Sequence, residues 1–336
     1  MRKIINESKE NTIRIYLDQN IIDSIWKNRL DELNQIFLNE GKIIYSFPTL
    51  NEFSRINNEK DRDNYLSVLK DLNADYYWID DNDIAHFVKD DPQKIYNEVI
   101  EENRRFKPLE KSMELLLHKM LGGQKGNSMF SIIQENRNSF NNLLEIINEE
   151  SLKLQGDIKV NDLINQYVAN AKTAFLSSTE KFLNEFNKNT KNDLEYDGIN
   201  DLQKNFSLGA LRLNNIKPPN IINQIWKIIE RESKALNINV EYDDLFGDRI
   251  WEQFQNIKIS LVSKINGLYN LLNSLGYHSD PQLYKSRKFN SFISDTQHSG
   301  HASYAHLLFS QDENFVKKTE AVYEHFNIGT KIYLIK

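Results

Sequence analysis

The chain has 336 residues, with 42 Lys and Arg against 48 Asp and Glu, a formal net charge of −6, and no cysteine. With 40% hydrophobic residues it carries enough apolar surface for a sizeable core, and its length leads us to expect one to three domains. The absence of thiols excludes disulfides and thiolate metal sites, the acidic total argues against nonspecific coating of nucleic acid, and no apolar run nears the roughly 18 residues of a membrane span. No hydrophobic region follows Met1-Arg2-Lys3 either, so a cytoplasmic location without membrane contact is the expectation.

Residues 13–80 alternate strand and helix. An apolar, β-prone run from Ile13 to Leu17 ends at Asp18, and a helical pattern through Phe37 follows, with Ile21, Ile22, Ile25 and Trp26 on one face. Ile43 to Tyr45 reads as a second strand, Pro48 suits a helix start, and helices continue through Leu72. Asp75 to Ile79, with Tyr76, Tyr77 and Trp78, reads as a buried strand. Such alternation predicts a parallel sheet with helical crossovers. From about 93 to 275 the spacing becomes helical, as in Ile132, Ile133, Leu143 and Leu144 and again in Ile221, Ile222, Ile225 and Ile229. Breaks fall at Gly122-Gly123, near Gly156, around 187–192 and at Lys217-Pro218-Pro219-Asn220. Beyond Gly276 the first rhythm returns: Ser294-Asp295-Thr296 is expected to open a helix, Leu307–Ser310 to form a strand, and Lys331 to Ile335 to close the sheet as a buried strand. The expected fold class is α/β: a parallel sheet flanked by helices, discontinuous over 1–90 and 278–336, around an all-helical insertion at 91–277.

Four acids sit at strand–helix junctions: Asp18 after the first strand, Glu52 just over one turn past the second, Asp295, and Asp312 after Leu307–Ser310. In open α/β sheets ligands bind beyond the carboxyl ends of the strands, so acids from distant segments converge there. Crowded carboxylates raise one another's pKa, and a hard divalent cation with oxygen ligands relieves the repulsion. Taken singly, each Asp is well explained as a helix N-cap and Glu52 as a surface residue.

In order and flanking residues, the four together resemble the PIN-like family of metal-dependent nucleases. Ile13 to Asp18 looks like its first motif and Ile43 to Glu52 its second; Ser294-Asp295-Thr296-Gln297-His298 and Ser310-Gln311-Asp312-Glu313-Asn314-Phe315 look like its third and fourth. The resemblance covers about residues 10–90 and 280–336, and the long middle segment departs from a compact PIN domain. It implies a PIN-like fold and an endoribonuclease that holds Mg²⁺ or Mn²⁺ through Asp18, Asp295, Asp312 and Glu52 as catalytic residues, leaving 5′-phosphate and 3′-hydroxyl ends. It also implies an RNA substrate, with single-stranded DNA as a second candidate. Its biological setting would be a toxin or an anti-phage defence effector, with a regulatory protein or antitoxin as partner.

Asn20 and Ser310 are candidates for orienting the metal ligands, and Arg55, one turn past Glu52, for reaching the same cleft or holding an acid. His298 shares a helical face with Asp295, although packing explains a lone histidine more economically, and His301 and His306 still more so. Lys285, Arg287 and Lys288, interleaved with Tyr284 and Phe289, suit phosphates and stacked bases of single-stranded nucleic acid as well as they suit a solvated helix face. Leu121 to Asn127 lacks the end of a phosphate-binding loop and reads as a helix–helix turn.

Two other functions compete. A binding protein would use the helical insertion to dock a partner or RNA, with the acids as caps or a degenerate site. A phosphohydrolase would use Asp18 as nucleophile, but Asp18-Gln19-Asn20 lacks the second Asp of haloacid-dehalogenase-like phosphatases.

Overall fold

The computed structural model describes residues 12–29, 41–153, 158–247, 249 and 258–336. They form two compact units, one from 1–100, 202–281 and 290–336, the other from 101–201 and 282–289.

The first unit contains one six-stranded sheet. Its strands are β1 (Arg14–Leu17), β2 (Lys42–Tyr45), β3 (Asp75–Ile79), β4 (Ala85–Val88), β5 (Leu307–Ser310) and β6 (Lys331–Leu334), in the order β4-β3-β2-β1-β5-β6. All neighbours are parallel except β3 and β4, which form an antiparallel pair. Ile15, Tyr16 and Leu17 of β1 and Ile43, Ile44 and Tyr45 of β2 are all buried, as central parallel strands covered on both faces require. The chain steps outward from β1 to β2 and β3, then returns to add β5 and β6 on the other flank of β1. The order therefore reverses between β1 and β5, and such a reversal opens a crevice beyond the strands' carboxyl ends.

Helices α1 (Gln19–Trp26), α2 (Phe47–Ser54) and α3 (Glu59–Asp71) follow the first two strands, with Pro48 in the opening turn of α2. The helical pattern expected through Phe37 is described only as far as Trp26, because 30–40 lie outside the described residues. Beyond β4 the chain is helical, as expected: α4 (Pro92–Arg104), α5 (Lys107–Met120), α6 (Met129–Lys153), α7 (Ile158–Asn189), α8 (Gly198–Asn205), α9 (Ala210–Leu213), α10 (Ile221–Ala235), α11 (Tyr242–Leu245) and α12 (Leu261–Leu275). Helices α13 (Ser286–Ala302) and α14 (Glu313–His325) flank β5 in sequence. The break expected near Gly156 lies outside the described residues, as does Trp251.

The second unit is built on α5, α6 and α7. Met129, Ile133, Leu183 and Phe186 form its core, and Phe140 stacks on Phe175 with ring centroids 4.2 Å apart. Its fully buried Lys119 donates to the Asp193 carbonyl at 2.5 Å.

Three expectations need correction. The insertion is shorter than 91–277, because residues 202–281 belong with the sheet. Helices α10 and α12 pack on α14, and Glu324 accepts from the backbone N–H groups of Asn220 and Ile221 at 2.7 and 3.0 Å. Helical spacing marks an apolar face without naming what that face meets. Next, α13 starts at Ser286, so Asp295 lies inside a helix instead of opening one. Finally, β6 is a half-exposed edge strand, not a buried one, because nothing pairs with its outer side among the described residues.

Candidate functional site

Asp18 ends β1 and caps α1. Its carboxylate accepts from the Gln19 backbone N–H at 2.7 Å, from Asn20 Nδ2 at 2.6 Å and from Ser310 Oγ at 2.6 Å, the last reaching across from β5. Asn20 and Ser310, both expected to orient ligands, thus hold Asp18. Ser310 Oγ in turn accepts from the Asp312 backbone N–H at 3.0 Å and from Asn20 Nδ2 at 3.2 Å, so one hydroxyl fastens the ends of β1 and β5 together. Burial pushes the Asp18 pKa up; His298 counteracts, Glu52 adds to the rise, and the bonds from Ser310 and Gln19 do not cancel it.

Glu52 lies on α2 against α13. Ser294 Oγ donates to it at 2.5 Å and His298 Nε2 at 3.0 Å; the Gln19 amide, turned so that its nitrogen faces the carboxylate, adds contacts of 2.6 and 3.0 Å. His298 is fully buried, and its Nδ1 stands 2.7 Å from the Tyr16 hydroxyl, itself within 3.2 and 3.3 Å of Ser46 and Thr49. Burial opposes a charge on His298, but Tyr16, Glu52 and Asp18 outweigh it and raise its pKa well above that of a free imidazole. Burial alone would raise Glu52, yet the charge and hydrogen bond of His298, then Ser294 and Arg55, bring it below the ordinary value. Glu52 and His298 therefore form a buried ion pair at neutral pH.

Asp295 and Asp312 contrast with these two. Asp312 is exposed and caps α14, accepting from the Phe315 N–H at 2.9 Å. Asp295 sits mid-helix, where no cap is needed, and among the described residues nothing donates a hydrogen bond to its carboxylate. Burial first, then the charges of Asp18 and Asp280, raise its pKa well above 3.8; Lys318 opposes this rise and Asp312 adds to it. The crevice at the sheet reversal thus holds carboxylates that repel one another.

The donor set is entirely oxygen and carries excess negative charge, which fits a hard divalent cation. Preformed coordination is absent: among the described residues no three acidic or histidine side chains stand close enough to share one metal ion. Asp18, Asp295 and Asp312 are the groups suited to hold a cation. Glu52 is the least suited, because His298 and Ser294 already neutralise it.

The remaining candidates fall elsewhere. Arg55 Nη1 donates to the Asn290 carbonyl at 3.2 Å and lends its charge to Glu52. Lys285, Arg287 and Lys288 are exposed in the second unit, with Lys285 Nζ bonded to Gln282 at 2.7 Å. Burial, followed by the His298 charge, drives His301 down to about 3, so it is neutral; His306 Nδ1 accepts from the Arg14 N–H at 3.0 Å. Sequence reasoning missed Tyr16, Gln19, Ser294, Tyr269, Asp280 and Lys318. Gln19 and Ser294 adjoin motif acids and were within reach of a closer reading; Tyr269 and Asp280 lie in or beside the segment expected to be an insertion. Among the described residues no helix is long and apolar enough to cross a membrane. Comparison with family models, with curated proteins and with solved structures gives no match.

Proposed function

We propose that this chain is a divalent-cation-dependent endonuclease of the PIN-like type, acting on the phosphodiester backbone of RNA. One observation carries the reading: three carboxylates from separate segments, Asp18, Asp295 and Asp312, meet at the reversal of strand order with too little positive charge to balance them. A bound Mg²⁺ or Mn²⁺ would offset charge on a scissile phosphate and make bound water more acidic. The chain's own residues supply the frame. Ser310 and Asn20 fix the Asp18 carboxylate, and the Glu52–His298 pair locks α2 to α13 and so sets the position of Asp295. The exposed Asp312 completes the rim.

The test is cleavage of end-labelled total RNA and single-stranded DNA with Mn²⁺ or Mg²⁺, comparing wild type, Asp18→Asn and an EDTA control. Cation-dependent cleavage lost in the variant is the expected result; no cleavage by folded wild type would overturn the reading. A binding protein with a degenerate site is the second reading. It is favoured by the saturation of Asp18 and Glu52 with protein donors, and it requires Asp18→Asn and Asp295→Asn to keep full function.

A further inference from the structure

The Tyr269 side chain is fully buried on α12, and among the described residues no group pairs with its hydroxyl. A buried phenol O–H without a partner loses its hydration and gains nothing in return, which is rare in folded proteins. Its surroundings identify where it points. The ring lies 6.3 Å from that of Phe292, one turn before Asp295 on α13, and 6.3 Å from that of Phe315, whose N–H binds Asp312. Lys318 Nζ sits 4.6 Å from the ring centroid, held by Asp280 and by Asn273 Oδ1 at 3.2 Å. The charges that act on the phenol are those of Asp295, Asp280, Asp312 and Asp18, and together with burial they keep it protonated far above neutral pH. The hydroxyl is therefore a permanent donor facing the acidic crevice.

We propose that Tyr269 is a positioning residue of the acidic site, its hydroxyl donating to solvent around a divalent cation carried by Asp295, Asp18 and Asp312. Resting on the proposed cation-dependent function, this assigns α12 to the site. Lys318 supports the residue from below: its ammonium on the ring face draws electron density from the phenol and strengthens the donor. Groups that orient a metal's surroundings without ligating it cost roughly 10- to 100-fold in metal affinity or activity when removed.

The experiment compares Mn²⁺ binding without substrate and thermal unfolding in EDTA for wild type, Asp295→Asn and Tyr269→Phe, which deletes one oxygen and preserves the ring. For Tyr269→Phe the expected result is a roughly 10-fold weaker Mn²⁺ affinity with an unfolding temperature equal to or above wild type. A purely structural hydroxyl would act oppositely, lowering the unfolding temperature and leaving affinity unchanged, and that outcome overturns the inference. Wild-type Mn²⁺ affinity in Tyr269→Phe, with binding lost in Asp295→Asn, defeats the role of Tyr269 alone. No binding by wild type defeats the cation site and this inference with it.

Discussion

At the scale of the residue, the site contains two kinds of carboxylate. Asp18 and Glu52 are held by donors from several segments, whereas Asp295 is exposed to like charge with little protein compensation. A group whose folded pKa lies above its unfolded value of 3.8 is neutral in the native state over a range where the unfolded chain is already ionised. Stability then falls as pH rises from 3.8 toward the folded pKa, and the full penalty applies above it. Asp295→Asn removes that penalty, so in EDTA it should be stabilised by roughly 1 kcal/mol at pH 8 and by much less at pH 5, as read from urea midpoints. Equal gains at both pH values would mean that the carboxylate charge is not the source. None of this could be read from the sequence, where Asp295 looked like the start of a helix and Glu52 like a surface residue; desolvation depends on neighbours more than 200 residues away, such as Ser294 for Glu52.

At the scale of the element, strands β1, β2, β3 and β5 were legible because each is a short apolar run ended by an acid or a turn residue. β4 escaped notice because Ala85-His86-Phe87-Val88 is too short to show a period, and its pairing with β3 depends on a turn in which Asp80 Oδ1 accepts from the N–H groups of Asn82 and Ile84, both at 2.9 Å. The alliance of α12 with the sheet was illegible for another reason: its partner is decided by close approach, which a helical pattern does not encode. Gly300 makes that approach possible, since a Cβ there would lie 2.5 Å from Asn266 Oδ1 and 2.8 Å from Val262 Cγ1, both on α12. Gly300→Ala should therefore cost about 1–3 kcal/mol in chemical denaturation and push α12 away from α13. A stability unchanged from wild type would show that the two helices yield without strain.

At the scale of the whole molecule, the acidic crevice is assembled from segments around residues 18, 52, 269, 295 and 312, and excess negative charge there opposes the compact state. A divalent cation that binds only the folded chain stabilises it by mass action, about 2.7 kcal/mol at a concentration 100 times its Kd. Mn²⁺ should accordingly raise the unfolding temperature of wild type and not that of Asp295→Asn; an identical rise in both would place binding elsewhere. The pairing of Ile15 with Leu307 and of Asp18 with Ser310 spans almost the entire chain. Chains emerge from the ribosome amino end first, so β1 waits without its β5 neighbour until nearly all of the protein has been made. Every truncated product of interrupted translation lacks Asp312 and the hydroxyl that fixes Asp18, so a chain able to cut RNA would stay harmless to the message and ribosome producing it until synthesis is complete.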